Sequence, residues 1–245
     1  MNEEITDLMV FSDAEDKNLQ AGLEHFKEEV SFFVRLEALF STPGKKVTDE
    51  YTVIIELFQL CHHNLIFSFL NLLRGHFKEP CIISRNSIEA VAQATIIKEN
   101  PDSYSEIWCK GENDNENKED VEAFRRMFKK DKFRNCQYKK ELAEFYRMFS
   151  TFSHPNILTG IHRMKREGDK LLFGFFDTEV DNLDAWMIRY LNYTLLAYST
   201  ILKEFSDIFS QFNIIPIDSL EELRKEHRAY MESRRSFLSQ DGKYD

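Results

Sequence analysis

Only eight glycines and five prolines interrupt the 245 residues of this chain. So few breakers leave little material for tight turns, and the elements must be long. That argues against many-turned sandwiches and barrels, and against doubly wound folds with glycine-rich loops. The apolar residues recur at helical spacing. Leu19, Leu23, Phe26, Val30, Phe33, Leu36 and Phe40 predict a helix over 18–40, ended by STPGKK at 41–46. Asp49 is placed to cap the next helix, 50–78, which is apolar on most sides and therefore central, and Pro80 breaks it. A third helix, 81–99, is rich in small residues (Ser84, Ser87, Ala90, Ala92, Ala94) that permit close helix approach, and Pro101 stops it. A short helix over 103–110 ends at Gly111, and 111–120 is a polar loop. Helices over 119–130 and 136–153 follow, the second stopped by His154-Pro155.

Residues 157–177 have a different pattern. Two extended runs flank a Glu167-Gly168-Asp169 turn and predict a hairpin. Asp181 or Asn182 then caps a helix over 183–212, and Pro216 breaks it. Asp218-Ser219, followed by Glu221-Glu222, caps a last helix over 218–237. The expected architecture is all-α: one domain over 1–245, a helical bundle with one small β-hairpin insertion. Its parts are an N-terminal helix 18–40, a core bundle 50–212 with the hairpin 157–177, and a C-terminal helix 218–237. The 22 phenylalanines supply much of the core area, and a chain this long needs no disulfide or metal for stability.

Charge and cysteine usage narrow the function. A net charge of −10 is a poor global footprint for non-specific nucleic-acid binding, though it leaves room for a local basic patch. Cys61, Cys81, Cys109 and Cys136 lie far apart with no C-x-x-C spacing, so zinc and redox motifs are absent. The acidic N-terminal stretch lacks signal-peptide order, and 51–73 carries Glu56, Gln59, His62, His63 and Asn64, which disfavour a membrane span. A cytoplasmic protein with no membrane partner and no cofactor is expected. No G-x-S-x-G, Walker, GxGxxG or H-E-x-x-H motif occurs, nor the Glu-x-x-His pattern of di-iron bundles. His62 and His63 point about 100° apart on a helix and make poor joint metal ligands; a core-edge and a solvated position suit them better. No metal site is expected.

Two polar constellations remain. Arg85 and Glu89 lie at i, i+4 on a stripe shared with Cys81, Ala92 and Ile96, which predicts a mostly buried pair. It reads as a structural ion pair between helices, or as Glu89 orienting an active-site Arg or His from another helix. Removing one partner of a mostly buried pair is expected to cost about 3–5 kcal/mol. The second constellation is EFYRMFSTFSHPN at 144–156. With Arg147 as angular zero, Tyr138, Leu142, Phe145, Phe149 and Phe152 fall within about 40° of the opposite, core side. His154 lies only about 20° from Arg147, two turns and about 10 Å further along the axis. Ser150 and Thr151 flank them. A histidine at a helix C-terminus is more readily protonated, which suits acid–base work near neutral pH.

Arg147 and His154, with six residues between them, resemble the R-x(4–6)-H motif of HEPN ribonucleases, all-α proteins of toxin–antitoxin and phage-defence systems. Met148 departs from that family's pattern, which places a polar residue after the arginine. Arg85/Glu89 and Tyr146/Ser150/His154/Pro155 also resemble the R-x-x-x-E and Y-x-x-x-S-x-x-x-H-P pair of a group of helical bacterial proteins akin to abortive-infection proteins. The resemblance covers roughly residues 50–210. It implies a metal-independent endoribonuclease with Arg147, His154, Glu89, Arg85, Ser150 and Tyr146 at its site. It also implies a homodimer in which two sites meet, with an antitoxin or other protein as a possible partner.

The stretch 125–140 holds eight Lys or Arg and leads into the helix bearing Arg147. Arg125, Arg126, Lys129, Lys130, Arg134, Lys139 and Lys140 are the candidate RNA-binding residues, and a solvated face balancing an acidic protein is the plainer reading. Phe133, Tyr138, Phe145 and Tyr146 interleave with these charges and could stack bases, with Tyr138 and Phe145 assigned rather to the core. Arg224, Lys225, Arg228, Arg234 and Arg235 form a second basic stretch, read as solvated. A non-catalytic helical interaction or sensor module is the competing function.

Overall fold

The computed structural model describes residues 3–41, 48–102, 104, 119, 122, 126, 128, 132–153, 164–167, 170–173 and 185–234. Seven α-helices lie within those residues: α1 (Glu3–His25), α2 (Lys27–Phe40), α3 (Thr52–Leu73), α4 (Lys78–Ile97), α5 (Lys139–Ser153), α6 (Ala185–Ile208) and α7 (Ile217–Ser233). The all-α class is as expected. Two four-residue strands, β1 (Met164–Glu167) and β2 (Lys170–Phe173), pair antiparallel with Met164 opposite Phe173. The rest of the expected 157–177 hairpin lies outside the described residues, as do the expected helix 103–110 beyond Tyr104, the His154-Pro155 stop and the Asp181/Asn182 cap.

Several boundaries differ from expectation. The predicted 18–40 helix is two helices, and α1 begins far upstream at Glu3. Phe26 leaves helical geometry at φ −103°, ψ 42°, yet its N–H still reaches Gly22 O at 3.0 Å. The bend lets α1 lie on α3 at Gly22, where an added Cβ would stand 3.0 Å from the Leu73 carbonyl oxygen. Pro80 does not break α3. The break is Gly75, at φ 89°, in a Schellman stop: Gly75 N bonds Leu72 O at 2.9 Å and His76 N bonds Asn71 O at 3.0 Å. Pro80 sits instead in the first turn of α4, where its missing N–H costs nothing. Asp49 opens a 3-10 turn (Asp49–Tyr51) rather than capping α3, whose N-cap is Tyr51. Asp218 and Ser219 lie inside α7, behind an N-cap at Pro216.

The buried apolar side chains form one cluster. α6 lies at its centre and touches α2, α3, α4, α5 and α7; α3 packs most closely on α4. The α3–α4 contact is lined by small hydroxyls. Ser87 Oγ lies 3.0 Å from the Tyr198 hydroxyl on α6 and accepts from Asn64 Nδ2 at 3.0 Å, so the polar groups drawn into the core are paired. Among the described residues, Asp49–Leu73 is the one helical stretch long and apolar enough to cross a membrane. In the bundle its face of Val53, Ile54, Leu57, Cys61, Leu65, Phe69 and Leu72 is buried, while Leu60 and Phe67 are exposed.

Candidate functional site

α5 is held at its N-terminus by α6. Glu204, 2% exposed, accepts the backbone N–H groups of Gln137 and Tyr138 at 3.0 Å each and so satisfies two orphan donors of the helix start. Burial raises the pKa of this carboxyl above the ordinary range, against the pull of those two bonds. Leu142 and Phe149 then turn into the core, and Arg147 is exposed on the other side. That matches the angular reading for these three residues. Tyr138 and Phe145 are only half-buried, because α4 and α6 cover a narrower strip of α5 than the full apolar face.

Tyr146 lies about 100° round the helix from Arg147, against α4. Its hydroxyl donates to Glu89 Oε1 at 2.7 Å and accepts from Arg85 Nε at 3.1 Å. The Arg85 guanidinium carbon lies 5.1 Å from the Tyr146 ring centroid, and one guanidinium nitrogen reaches 3.6 Å from the same Glu89 oxygen. Lys132, in the turn before α5, donates to that oxygen at 2.8 Å and stands over the Tyr146 ring at 3.9 Å. Phe133 packs edge-on against the ring at 5.8 Å. A tyrosine is thus clamped between two cations, and one carboxylate oxygen collects a hydroxyl, an ammonium and a guanidinium. Burial raises the Glu89 pKa. The bonds from Lys132 and Tyr146 and the charges of Lys132 and Arg85 outweigh that and hold it below the ordinary carboxylate range.

The expected pairing of Arg85 with Glu89 is present, and it is mostly but not fully buried. The two side chains remain 30% and 26% exposed, because both sit at the outer edge of α4 while Cys81, Ala92 and Ile96 take the core positions. Ser150, one turn beyond Tyr146, has a buried Oγ with no hydrogen-bond partner among the described residues. Thr151 turns its hydroxyl back to the Arg147 carbonyl at 2.9 Å. His154 lies outside the described residues.

Of the expected RNA-binding residues, Arg126, Arg134, Lys139 and Lys140 are exposed. Arg134 pairs with Glu99 at 3.7 Å, and Arg126 Nε donates to the Glu122 carbonyl at 3.3 Å. Arg125, Lys129 and Lys130 lie outside the described residues. Phe133 is 8% exposed and is a wall of the Tyr146 cluster rather than a stacking surface. Sequence reasoning passed over Lys132, one cation among eight in 125–140; only the turn at 132–138 brings it to Glu89.

A second polar cluster was not anticipated. Arg224, read as part of a solvated stretch, is 4% exposed. It donates to Ser199 Oγ at 3.1 Å and Thr200 Oγ1 at 3.0 Å on α6, and to Glu141 Oε2 at 3.3 Å on α5. His227, one turn on, is 3% exposed, and its Nε2 lies 2.7 Å from Asn192 Oδ1. Asn192 Nδ2 and the Tyr230 hydroxyl both donate to Glu29 Oε1 of α2, itself 2% exposed. The sequence signal was present: Leu220, Leu223, Arg224, His227 and Tyr230 share core spacing. Among the described residues no three His, Cys, Asp or Glu side chains converge to hold a metal ion. His62 bonds Glu37 at 3.0 Å, and the exposed His63 ring lies 4.5 Å from that of Phe67.

No protein-family model, curated protein or solved structure matches this chain. The functional reading therefore rests on the residues themselves.

Proposed function

We propose that the protein is a HEPN-like, metal-independent endoribonuclease whose site is built on the α4–α5 face. The carrying observation is the Tyr146 hydroxyl, which bonds both Arg85 and Glu89. It joins the two halves of the sequence signature, one on each helix. α5 runs to Ser153, one residue before His154. Ser150 has a buried hydroxyl on the Tyr146 side with no partner among the described residues, and Arg147 is exposed one residue beyond the clamp. Lys139 and Lys140 stand in the first turn of α5, where the helix dipole disfavours cations and an anion would relieve them.

In this reading His154 removes the 2′-hydroxyl proton or protonates the leaving oxygen, and Arg147 stabilises the charge of the pentacovalent phosphate. The Arg85–Tyr146–Glu89–Lys132 clamp fixes α5 against α4 and sets the positive rim. Two sites meet across a homodimer, so that the second imidazole supplies the other proton-transfer group. The fold carries the hairpin insertion over 157–177, and the protein works in the cytoplasm, in phage defence or a toxin system with a protein antitoxin. RNA cleavage assays with EDTA present test it. Cleavage leaving 2′,3′-cyclic phosphate ends is expected from the wild type and not from His154→Ala. Arg147→Ala should lower the rate more than RNA binding. Equal activity of wild type and His154→Ala, or strict need for a divalent metal, would overturn it.

One observation favours the competing reading of a non-catalytic interaction or sensor module. Arg85, Tyr146, Glu89 and Lys132 are bonded chiefly to one another, as a purely structural clamp would be. A folded dimer that neither binds nor cleaves RNA would decide for it.

A further inference from the structure

α7 covers the bundle with an inward face in which polar residues alternate with leucines. Leu220 and Leu223 are buried, and so are Arg224 and His227. The polar members do the fastening: His227 to Asn192 on α6, Tyr230 to Glu29 on α2, and Arg224 to Ser199 and Thr200 on α6 and to Glu141 on α5. The bonds also settle which ring nitrogen carries the proton. Asn192 Nδ2 donates to Glu29 Oε1 at 3.1 Å and to the Ile188 carbonyl at 2.7 Å, and both are acceptors only. Its Oδ1 therefore faces His227 and accepts, so His227 is the Nε2–H tautomer, with Nδ1 as its basic nitrogen.

We infer that α7 is an acid-released latch: a proton on Nδ1 of His227 frees the helix from α2, α5 and α6 while the α3–α4–α6 core stays folded. The reason lies in what surrounds the ring. It lines a small pocket with room for about one water molecule, whose other walls are Phe32, Leu36, Leu195, Ser199, Leu223 and Arg224. Protons can reach it there, but little surrounds it to solvate an imidazolium. Among the described residues, the charged and titratable groups on each side are few. α7 contributes Arg224 and Tyr230. α2 contributes Glu29, whose Oε1 already accepts from Asn192 and Tyr230, and Arg35, which is paired with Glu226. α6 contributes only Asn192 and Ser199 beside the ring, and α5 contributes Glu141, engaged by Arg224. An imidazolium would gain no direct carboxylate partner and would face the Arg224 cation. Burial, and then the Arg224 charge, push the His227 pKa down to about 4. In the released helix it returns to about 6.5, so release becomes more favourable as pH falls through that window. Because Arg224 also holds Glu141, the latch reaches the first turn of α5.

Hydrogen exchange of the full-length protein, corrected for the intrinsic pH dependence, tests this. Between pH 7 and 4.5 the opening of α7 should rise about 50-fold relative to α3 and α4. In His227→Gln, whose amide can still donate to Asn192, it should not rise. Equal acid sensitivity of α7 in the two proteins would assign the effect to carboxylates and overturn the inference, as would simultaneous opening of α3 and α4. If the variant fails to fold, ¹⁵N long-range spectra of wild-type His227 decide. An Nε2–H ring at pH 7 that gains its proton together with α7 exchange supports the latch. An Nδ1–H ring, or one that titrates near pH 6.5 with α7 still protected, refutes it.

Discussion

The two polar clusters of this bundle use similar residues in opposite ways. At the α4–α5 rim, Arg85, Lys132 and Glu89 meet around Tyr146 with their own side chains still 30%, 19% and 26% exposed. Under α7, Glu29, Asn192, Arg224 and His227 are all at or below 4% exposure. The first cluster keeps contact with water, so rearranging its partners carries little desolvation cost. The second has no such freedom, because any unpaired member would be stranded without water. The contrast separates a surface suited to a ligand from a lock suited to holding a helix, and burial, more than residue type, makes the difference.

The largest effect should come from breaking the lock. Glu29→Ala leaves the Tyr230 hydroxyl and one of the two Asn192 amide hydrogens without an acceptor and should destabilise the protein by about 3 kcal/mol in urea unfolding; a loss under 1 kcal/mol would mean that the cluster is open to water. Next is the pH dependence of stability. His227 is neutral in the fold with a pKa of about 4, so its contribution is intact above pH 6.5 and is lost as pH falls toward 4. Wild type should lose about 2 kcal/mol more than His227→Gln between pH 7 and 4.5. At the rim the same kind of deletion should cost less. Tyr146→Phe removes one donor and one acceptor from partners that keep some solvent contact and should cost about 1 kcal/mol, less than the 3–5 kcal/mol expected when one ion of a mostly buried pair is removed. Smallest is Arg147→Ala, an exposed position, which should stay within about 0.5 kcal/mol in thermal unfolding.

The helical class was legible from the scarcity of breakers and the period of the apolar residues, and so was the inward turn of Leu142 and Phe149 on α5. The pairing of Arg85 with Glu89 followed from their i, i+4 spacing. The stop at Gly75 was not legible, because Pro80 is the louder signal and a proline is harmless in a helix's first turn. The bend at Phe26 was hidden because the apolar period continues through it. Lys132 and Glu204 act on α5 from distant or irregular segments, and no local spacing announces such a partner. The lock under α7 was missed for another reason. Arg224 was grouped by charge with a solvated basic stretch, and nothing singled out His227, although both sit in the Leu220–Leu223 stripe.

The most direct test of the central claim, that the α4–α5 rim is the working surface, is single-turnover RNA cleavage in EDTA by purified wild type, His154→Ala and Tyr146→Phe. The account predicts cyclic-phosphate products from the wild type, none from His154→Ala, and slowed cleavage from Tyr146→Phe with the protein still folded at the assay temperature. Identical rates for all three proteins would contradict it.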